Sequence, residues 1–178
     1  MPLISNPAEA AGGKVFLFSD NKLLVYADNV AVLPDTEVLK HFLRHHCISD
    51  WLYDSDYDYT GARLEKDAPV SDRFCWLPLR SIFAAEYDFA FSASRATALL
   101  NWKAKTRFCS YCGNAMKDAE DETARVCVQC AHRVYPSISP AIIVQVCKGD
   151  KLLLAKHSRR NTDIYTCLAG YVEAGENL

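Results

Sequence analysis

Cys109-Ser110-Tyr111-Cys112 is answered fourteen residues later by Cys127-Val128-Gln129-Cys130. Two Cys-x-x-Cys pairs at this separation lie marginally under the usual spacing of a four-thiolate zinc site. Two knuckles at the ends of short hairpins would bring the four sulfurs into tetrahedral contact with one zinc, about 2.3 Å from each. Gly113 suits a tight knuckle, because glycine tolerates the backbone turn after the second ligand. Four protein ligands close a zinc site, so this one contributes fold stability and no hydrolytic chemistry. A segment this small has little core, and the metal should supply much of its folding free energy. The competing reading is four unligated thiols or two disulfides. The opening Met1-Pro2-Leu3-Ile4-Ser5-Asn6-Pro7 lacks the basic region and apolar run of a signal peptide. The expected compartment is therefore the reducing cytoplasm, which favours metal ligation over disulfides.

Outward from the knuckles, composition narrows the class. The chain has 178 residues, half of them apolar, and a net charge of -2. That is enough to bury an ordinary core in one or two domains. The charge gives no electrostatic case for a nucleic-acid or membrane partner. No segment approaches the ~20 apolar residues of a membrane span. Cys47, Cys75, Cys147 and Cys167 are scattered among apolar neighbours and are expected to be small buried hydrophobes.

Residues 1–105 read as an α/β domain. Lys14-Val15-Phe16-Leu17-Phe18 and Lys22-Leu23-Leu24-Val25-Tyr26 flank Ser19-Asp20-Asn21 as two strands of a hairpin. Pro34-Asp35-Thr36 followed by Val38, Leu39, Phe42, Leu43 and His46 predicts a capped helix whose polar face carries His41, His45 and His46. Phe74 to Leu79 is a candidate strand, and Asp88 to Lys105 a helix with an alanine-rich face. The stretch from Asp54 to Glu65 imitates a calcium loop, yet Tyr59 occupies the position of the sharp-turn glycine. A solvated acidic loop is expected there instead. Residues 106–135 are the cysteine-bounded segment. Residues 136–178 begin a third region: a buried strand over Ala141–Val146, a turn at Lys148-Gly149-Asp150, a returning strand over Lys151–Ala155, and a last strand through Tyr165–Leu168.

That last strand leads into Gly170-Tyr171-Val172-Glu173-Ala174-Gly175-Glu176, a Gly-x5-Glu pattern. The ribbon, then Tyr135-Pro136-x-Ile138-x-Pro140-Ala141-Ile142-Ile143-Val144, then Leu168 to Glu176, closely resembles the bacterial NADH pyrophosphatases of the Nudix hydrolases. The resemblance covers roughly residues 75–178 well and the first seventy in general architecture. It implies an α/β chain: an N-terminal Nudix-like α/β domain, a four-cysteine zinc ribbon and the first strands of a Nudix α/β/α sandwich. It also implies metal-dependent cleavage of NAD(H) to NMN(H) and AMP, removal of NAD caps from RNA, and a homodimer.

The resemblance assigns roles residue by residue. Cys109, Cys112, Cys127 and Cys130 would hold structural zinc. The Ala169 carbonyl would join a catalytic Mg2+ or Mn2+ site. Tyr171 would stack on a substrate ring, or else be a packed tyrosine at a strand end. Glu122 and Tyr135 would touch substrate, although Glu122 also fits the solvated run Asp118 to Glu122. Arg80 would be a basic substrate contact, matched by its distance to Cys109, and Glu176 would brace the loop. The family's Arg-Glu-x-x-Glu-Glu helix, whose carboxylates share one face and hold divalent metal, has no counterpart before Leu178. These residues alone are therefore expected to be inactive, the motif being cut short. Two alternatives stand beside this reading: a Nudix hydrolase of another nucleoside diphosphate derivative such as ADP-ribose, and a zinc-ribbon binding or interaction module. Lys103, Lys105 and Arg107 favour the module, whereas Asp118, Glu120, Asp121 and Glu122 would repel phosphates. Nudix-like order after the ribbon is unexplained by it.

Overall fold

The computed structural model describes residues 13–45, 47–66, 68–156, 158 and 163–177. It divides into two compact units, Met1–Pro136 and Ser137–Leu178. His46, expected on the first helix, lies outside the described residues.

In the first unit, β1 (Lys14–Ser19) and β2 (Lys22–Tyr26) form the expected antiparallel hairpin. Asp20 turns it with φ of 51°. Helix α1 (Thr36–Arg44) is capped by Asp35, whose Oδ1 accepts from the Val38 amide at 3.0 Å and satisfies one of the orphan first-turn donors. There follow β3 (Ile48–Asp54), β4 (Tyr59–Leu64), β5 (Phe74–Pro78), α2 (Leu79–Ala84) and α3 (Ala90–Lys105). The five strands form one sheet in the order β3-β4-β1-β2-β5, with β1 and β4 parallel and the other pairs antiparallel.

The period of two along β1 explains the layering. Phe16 and Phe18 face one core cluster, with Ile82 of α2 and Ala93, Ala96 and Leu100 of α3. Val15 and Leu17 face the other, with Leu39 and Phe42 of α1. A central strand covered on both faces is apolar at every position, as Val15 to Phe18 are. Helix α3 comes close to the sheet because small residues meet there. A Cβ built on Gly61 of β4 would lie 3.2 Å from the Ala96 Cβ.

Two expectations fail in this unit. The acidic stretch is not a solvated loop: its turn is confined to Ser55–Asp58, and Tyr59–Leu64 is an inner strand of the sheet. Asp54 is only 2 % exposed, accepting from Tyr59 Oη at 3.1 Å and Arg95 Nε at 2.8 Å. A carboxylate with a cation and a hydroxyl donor can be buried, so acidity misled as a sign of solvent. Burial and the Asp54 charge in turn push the Tyr59 phenol well above its ordinary value. The Phe74 strand also stops one residue early, at Pro78, where α2 begins.

The ribbon belongs to the same unit. Its three-stranded sheet is β6 (Met116–Asp118), β7 (Arg125–Cys127) and β8 (Arg133–Val134), all antiparallel.

The second unit consists of short strands: β9 (Ala141–Val144), β10 (Val146–Lys148), β11 (Lys151–Leu153), β12 (Ala155–Lys156), β13 (Tyr165–Thr166) and β14 (Leu168–Tyr171). They pair as β9/β14, β10/β11 and β12/β13. The expected strand over Ala141–Val146 is broken at Gln145, and neither piece is buried. Cys147, expected to be buried, is exposed on β10. The expected strands over Lys151–Ala155 and Tyr165–Leu168 are likewise broken, at Leu154 and Cys167, and β14 carries the chain through Gly170, opposite Ile142, to Tyr171. Among the described residues no helix is long and apolar enough to cross a membrane.

Candidate metal centre and the ribbon site

The two knuckles are built alike. The Gly113 amide donates to the Cys109 carbonyl at 2.9 Å, and the Ala131 amide donates to the Cys127 carbonyl at 3.1 Å. Each turn closes with a left-handed residue after its second cysteine, Gly113 at φ 75° and Ala131 at φ 57°. The entering amides also match, Cys109 bonding Asn114 and Cys127 bonding His132.

The knuckles gather the sulfurs. Cys109 Sγ is 3.7 Å from Cys130 Sγ, and Cys112 Sγ is 3.4 Å from those of both Cys127 and Cys130. Four sulfurs placed tetrahedrally at ~2.3 Å from one ion stand roughly 3.8 Å apart, so the donor set fits zinc in number, chemistry and separation. The Tyr111 amide points at Cys109 Sγ, and those of Gln129 and Cys130 at Cys127 Sγ, at 3.4–3.5 Å. Such donors stabilise thiolate charge. Backbone and side-chain hydrogen bonds from Asn114 draw the Cys112 thiol down to about 6. At Cys130 a backbone hydrogen bond from His132 works in the same direction, but burial and the neighbouring thiols outweigh it and push the group up to about 12. Among the described residues no other group of histidine, cysteine or acidic side chains gathers in this way. His41 and His45 merely face each other, 4.5 Å between ring centroids.

A second cluster flanks the knuckles. Tyr135 Oη donates to Glu122 Oε1 at 2.9 Å, and Arg133 Nη1 donates to Glu122 Oε1 at 2.5 Å and Asp121 Oδ1 at 2.9 Å. The hydrogen bond to Glu122 raises the Tyr135 phenol, and that from Arg133 lowers the Asp121 carboxyl. Of the residues singled out in the sequence, Glu122 and Tyr135 are thus brought together. Arg80 stands on α2 with an exposed side chain. Ala169 and Tyr171 are on β14 of the second unit, opposite Ile143 and Ala141, and Tyr171 is 75 % exposed.

Sequence reading missed what ties the ribbon to α3. Lys103 is 4 % exposed; its Nζ donates to the Trp51 carbonyl at 3.0 Å and to Asp118 Oδ2 at 2.9 Å. Arg125 reaches the other Asp118 oxygen at 3.2 Å. A signal was available: Ala93, Ala96, Leu100 and Lys103 share one helical face, which places the lysine on the buried side.

Residues 104–135 match the family model described as NADH pyrophosphatase zinc ribbon domain. The NAD-capped RNA hydrolase NudC of Photobacterium profundum is 52% identical over 160 residues, 90% of this chain and 58% of the relative. The chain belongs to the NADH pyrophosphatase family. The NAD-capped RNA hydrolase NudC of Pseudomonas aeruginosa is 33% identical over 178 residues, 97% of this chain and 62% of that protein. The protein of the same name from Edwardsiella ictaluri is 41% identical over 100 residues, 56% of this chain and 39% of the relative. The chain therefore spans less than two thirds of the length of these curated relatives. In this family setting the four sulfurs form a structural zinc site.

Proposed function

We propose that this chain serves the hydrolysis of the diphosphate of NAD(H), giving NMN(H) and AMP, and of the same linkage in NAD-capped RNA. The observation that carries the reading is the 52% identity, over 90% of this chain, to a protein named NAD-capped RNA hydrolase. In the reaction a water oxygen bonds to one phosphorus while the bridging P–O bond breaks, the bridging oxygen leaving with the other phosphate. Glu122 and Tyr135, held together within the ribbon, are the proposed substrate contacts of the first unit, with Arg80 as a basic contact. Tyr171 is proposed to stack on a substrate ring and the Ala169 carbonyl to face a catalytic Mg2+ or Mn2+.

Divalent metal in such a reaction neutralises charge developing on the phosphoryl oxygens. Within residues 1–178 the motif supplies the Ala169 carbonyl and Glu176, and Glu176 Oε2 already accepts from the Glu173 amide at 2.9 Å. One carbonyl and one carboxylate do not make a metal cluster. We therefore expect no NADH cleavage by the 178-residue polypeptide with magnesium or manganese. A polypeptide continued through a family Arg-Glu-x-x-Glu-Glu helix and the rest of the sheet should form AMP and NMNH. Chromatography of both after incubation with NADH is the test. Metal-dependent AMP from the short polypeptide would overturn the assignment of the chemistry, and no AMP from the long one would overturn the substrate.

A further inference from the structure

Where α3 meets the ribbon there is a cleft of about 540 Å³ that none of the proposed substrate contacts enters. Its lining includes Arg63 from β4, Lys103 from α3, Arg107 and Arg125, against one carboxylate, Asp50. On a chain of net charge -2 this is a local reversal of sign. Asp118, behind the lining, is shared between Lys103 and Arg125, so two of the cations are partly neutralised. Arg107 has an exposed side chain, and Arg63 is held by Asn101 at 2.6 Å.

The guanidinium groups of Arg63 and Arg125 are held by Asn101, and by Asp118 and the Met116 carbonyl, respectively, which leaves Arg107 as the exposed cation of the lining, and a phosphate oxygen is the acceptor that guanidinium groups prefer. One further observation points to a ligand. Phe108, also on the lining, leaves 70 % of its surface exposed between Arg107 and the first knuckle. An aromatic face beside a basic groove is the combination that holds single-stranded nucleic acid. The cations follow the phosphates and the ring stacks on a base, without reading sequence.

We infer that this cleft binds the phosphodiester backbone of a single-stranded RNA, with a phosphate among Arg63, Arg107 and Arg125 and a neighbouring base on Phe108. The inference extends the capped-RNA reading, since it gives the body of such a substrate a place away from the diphosphate that is cut. It can be separated from that reading by using RNA that has no cap.

The probe is a fluorescein-labelled RNA of ten nucleotides with a 5′-hydroxyl, titrated by anisotropy into the 178-residue chain at several salt concentrations. Binding should weaken with salt, and Arg107→Glu should lower the slope of log K against log salt by about one. Phe108→Ala should weaken binding roughly tenfold, as loss of one stacked base does. Lys117→Glu, on the same ribbon but outside the lining, should change binding less than twofold. Zinc content and circular dichroism of each variant establish that it has folded. Absence of RNA binding by the folded parent chain at low salt would overturn the inference. So would equal losses in Arg107→Glu and Lys117→Glu, or inorganic phosphate or AMP competing as well per mole as the RNA. RNA binding with these signatures, alongside no cleavage of NADH by any form, would leave the cleft standing and remove the diphosphatase reading alone.

Discussion

Gly113 and Ala131 occupy equivalent places in the two knuckles, both left-handed, and only one of them is glycine. A side chain at positive φ costs about 1 kcal/mol, and around Gly113 nothing lies within 4 Å of a built Cβ. The expected cost of Gly113→Ala is therefore backbone strain alone, about 1 kcal/mol, with zinc retained. Ala131→Gly relieves the same strain, partly offset by the greater freedom of glycine in the unfolded chain, so it should be neutral or slightly stabilising. Denaturant titration of the zinc-loaded chain checks both, and a loss above about 1 kcal/mol for Ala131→Gly would refute the equivalence of the knuckles. Replacing a ligand is a different matter. Cys127→Ser should release the metal and loosen the ribbon, read as zinc per chain falling from about one to near zero. Metal analysis finding no zinc in parent protein prepared without chelator would sink the site itself.

At the scale of elements, the sequence was most legible where a local rule stood alone. The β1–β2 hairpin follows from two apolar runs around a polar turn, and α1 from Asp35 ahead of a three/four apolar spacing. The ribbon's sulfurs follow from cysteine spacing, because ligand chemistry permits few arrangements. Legibility failed where distant partners set the environment. Nothing local shows that Arg95 lies within 2.8 Å of Asp54, and that cation is what allows an acidic stretch to enter the sheet as β4. Lys103 on α3 repeats the lesson in part: its helical face marks it as buried, but nothing local names Asp118 as its partner. Removing Lys103 leaves Asp118 still paired with Arg125 but strips the Trp51 carbonyl of its donor, and an unmade buried hydrogen bond typically costs about 1–3 kcal/mol. Lys103→Met should accordingly destabilise the first unit by about 2 kcal/mol while zinc stays bound. A change under about 1 kcal/mol in chemical denaturation would show that the pair is a bystander. Gly61→Val should be costly for a steric reason, because its Cβ would press on Ala96 and wedge α3 from the sheet, at roughly 1–3 kcal/mol.

On the scale of the molecule, the two units differ in how they treat apolar residues. In the first, Val15 to Phe18 are buried on both faces of a covered sheet. In the second, Ala141–Val144 and Leu152–Leu154 have the same continuous apolar character, which normally marks strands covered on both sides. Yet Ile143 is 77 % exposed, and Ile142, Val144, Leu152, Leu153, Leu154 and Leu168 are exposed as well. Exposed apolar strands of this kind mark a site of association, and a second copy of the chain offers equally apolar strands. We therefore expect the 178-residue chain to self-associate through the β9/β14 ladder, as a homodimer at low concentration and as larger species above it. Ile143→Lys places a charge on that surface without disturbing a buried contact, so it should shift the sedimentation profile toward monomer and leave zinc content unchanged. Amide exchange across residues 141–168 should become more protected as concentration rises. A parent chain that sediments as a dispersed monomer at all concentrations, with strong protection over those residues, would contradict this account. The apolar strands would then be covered from within the chain.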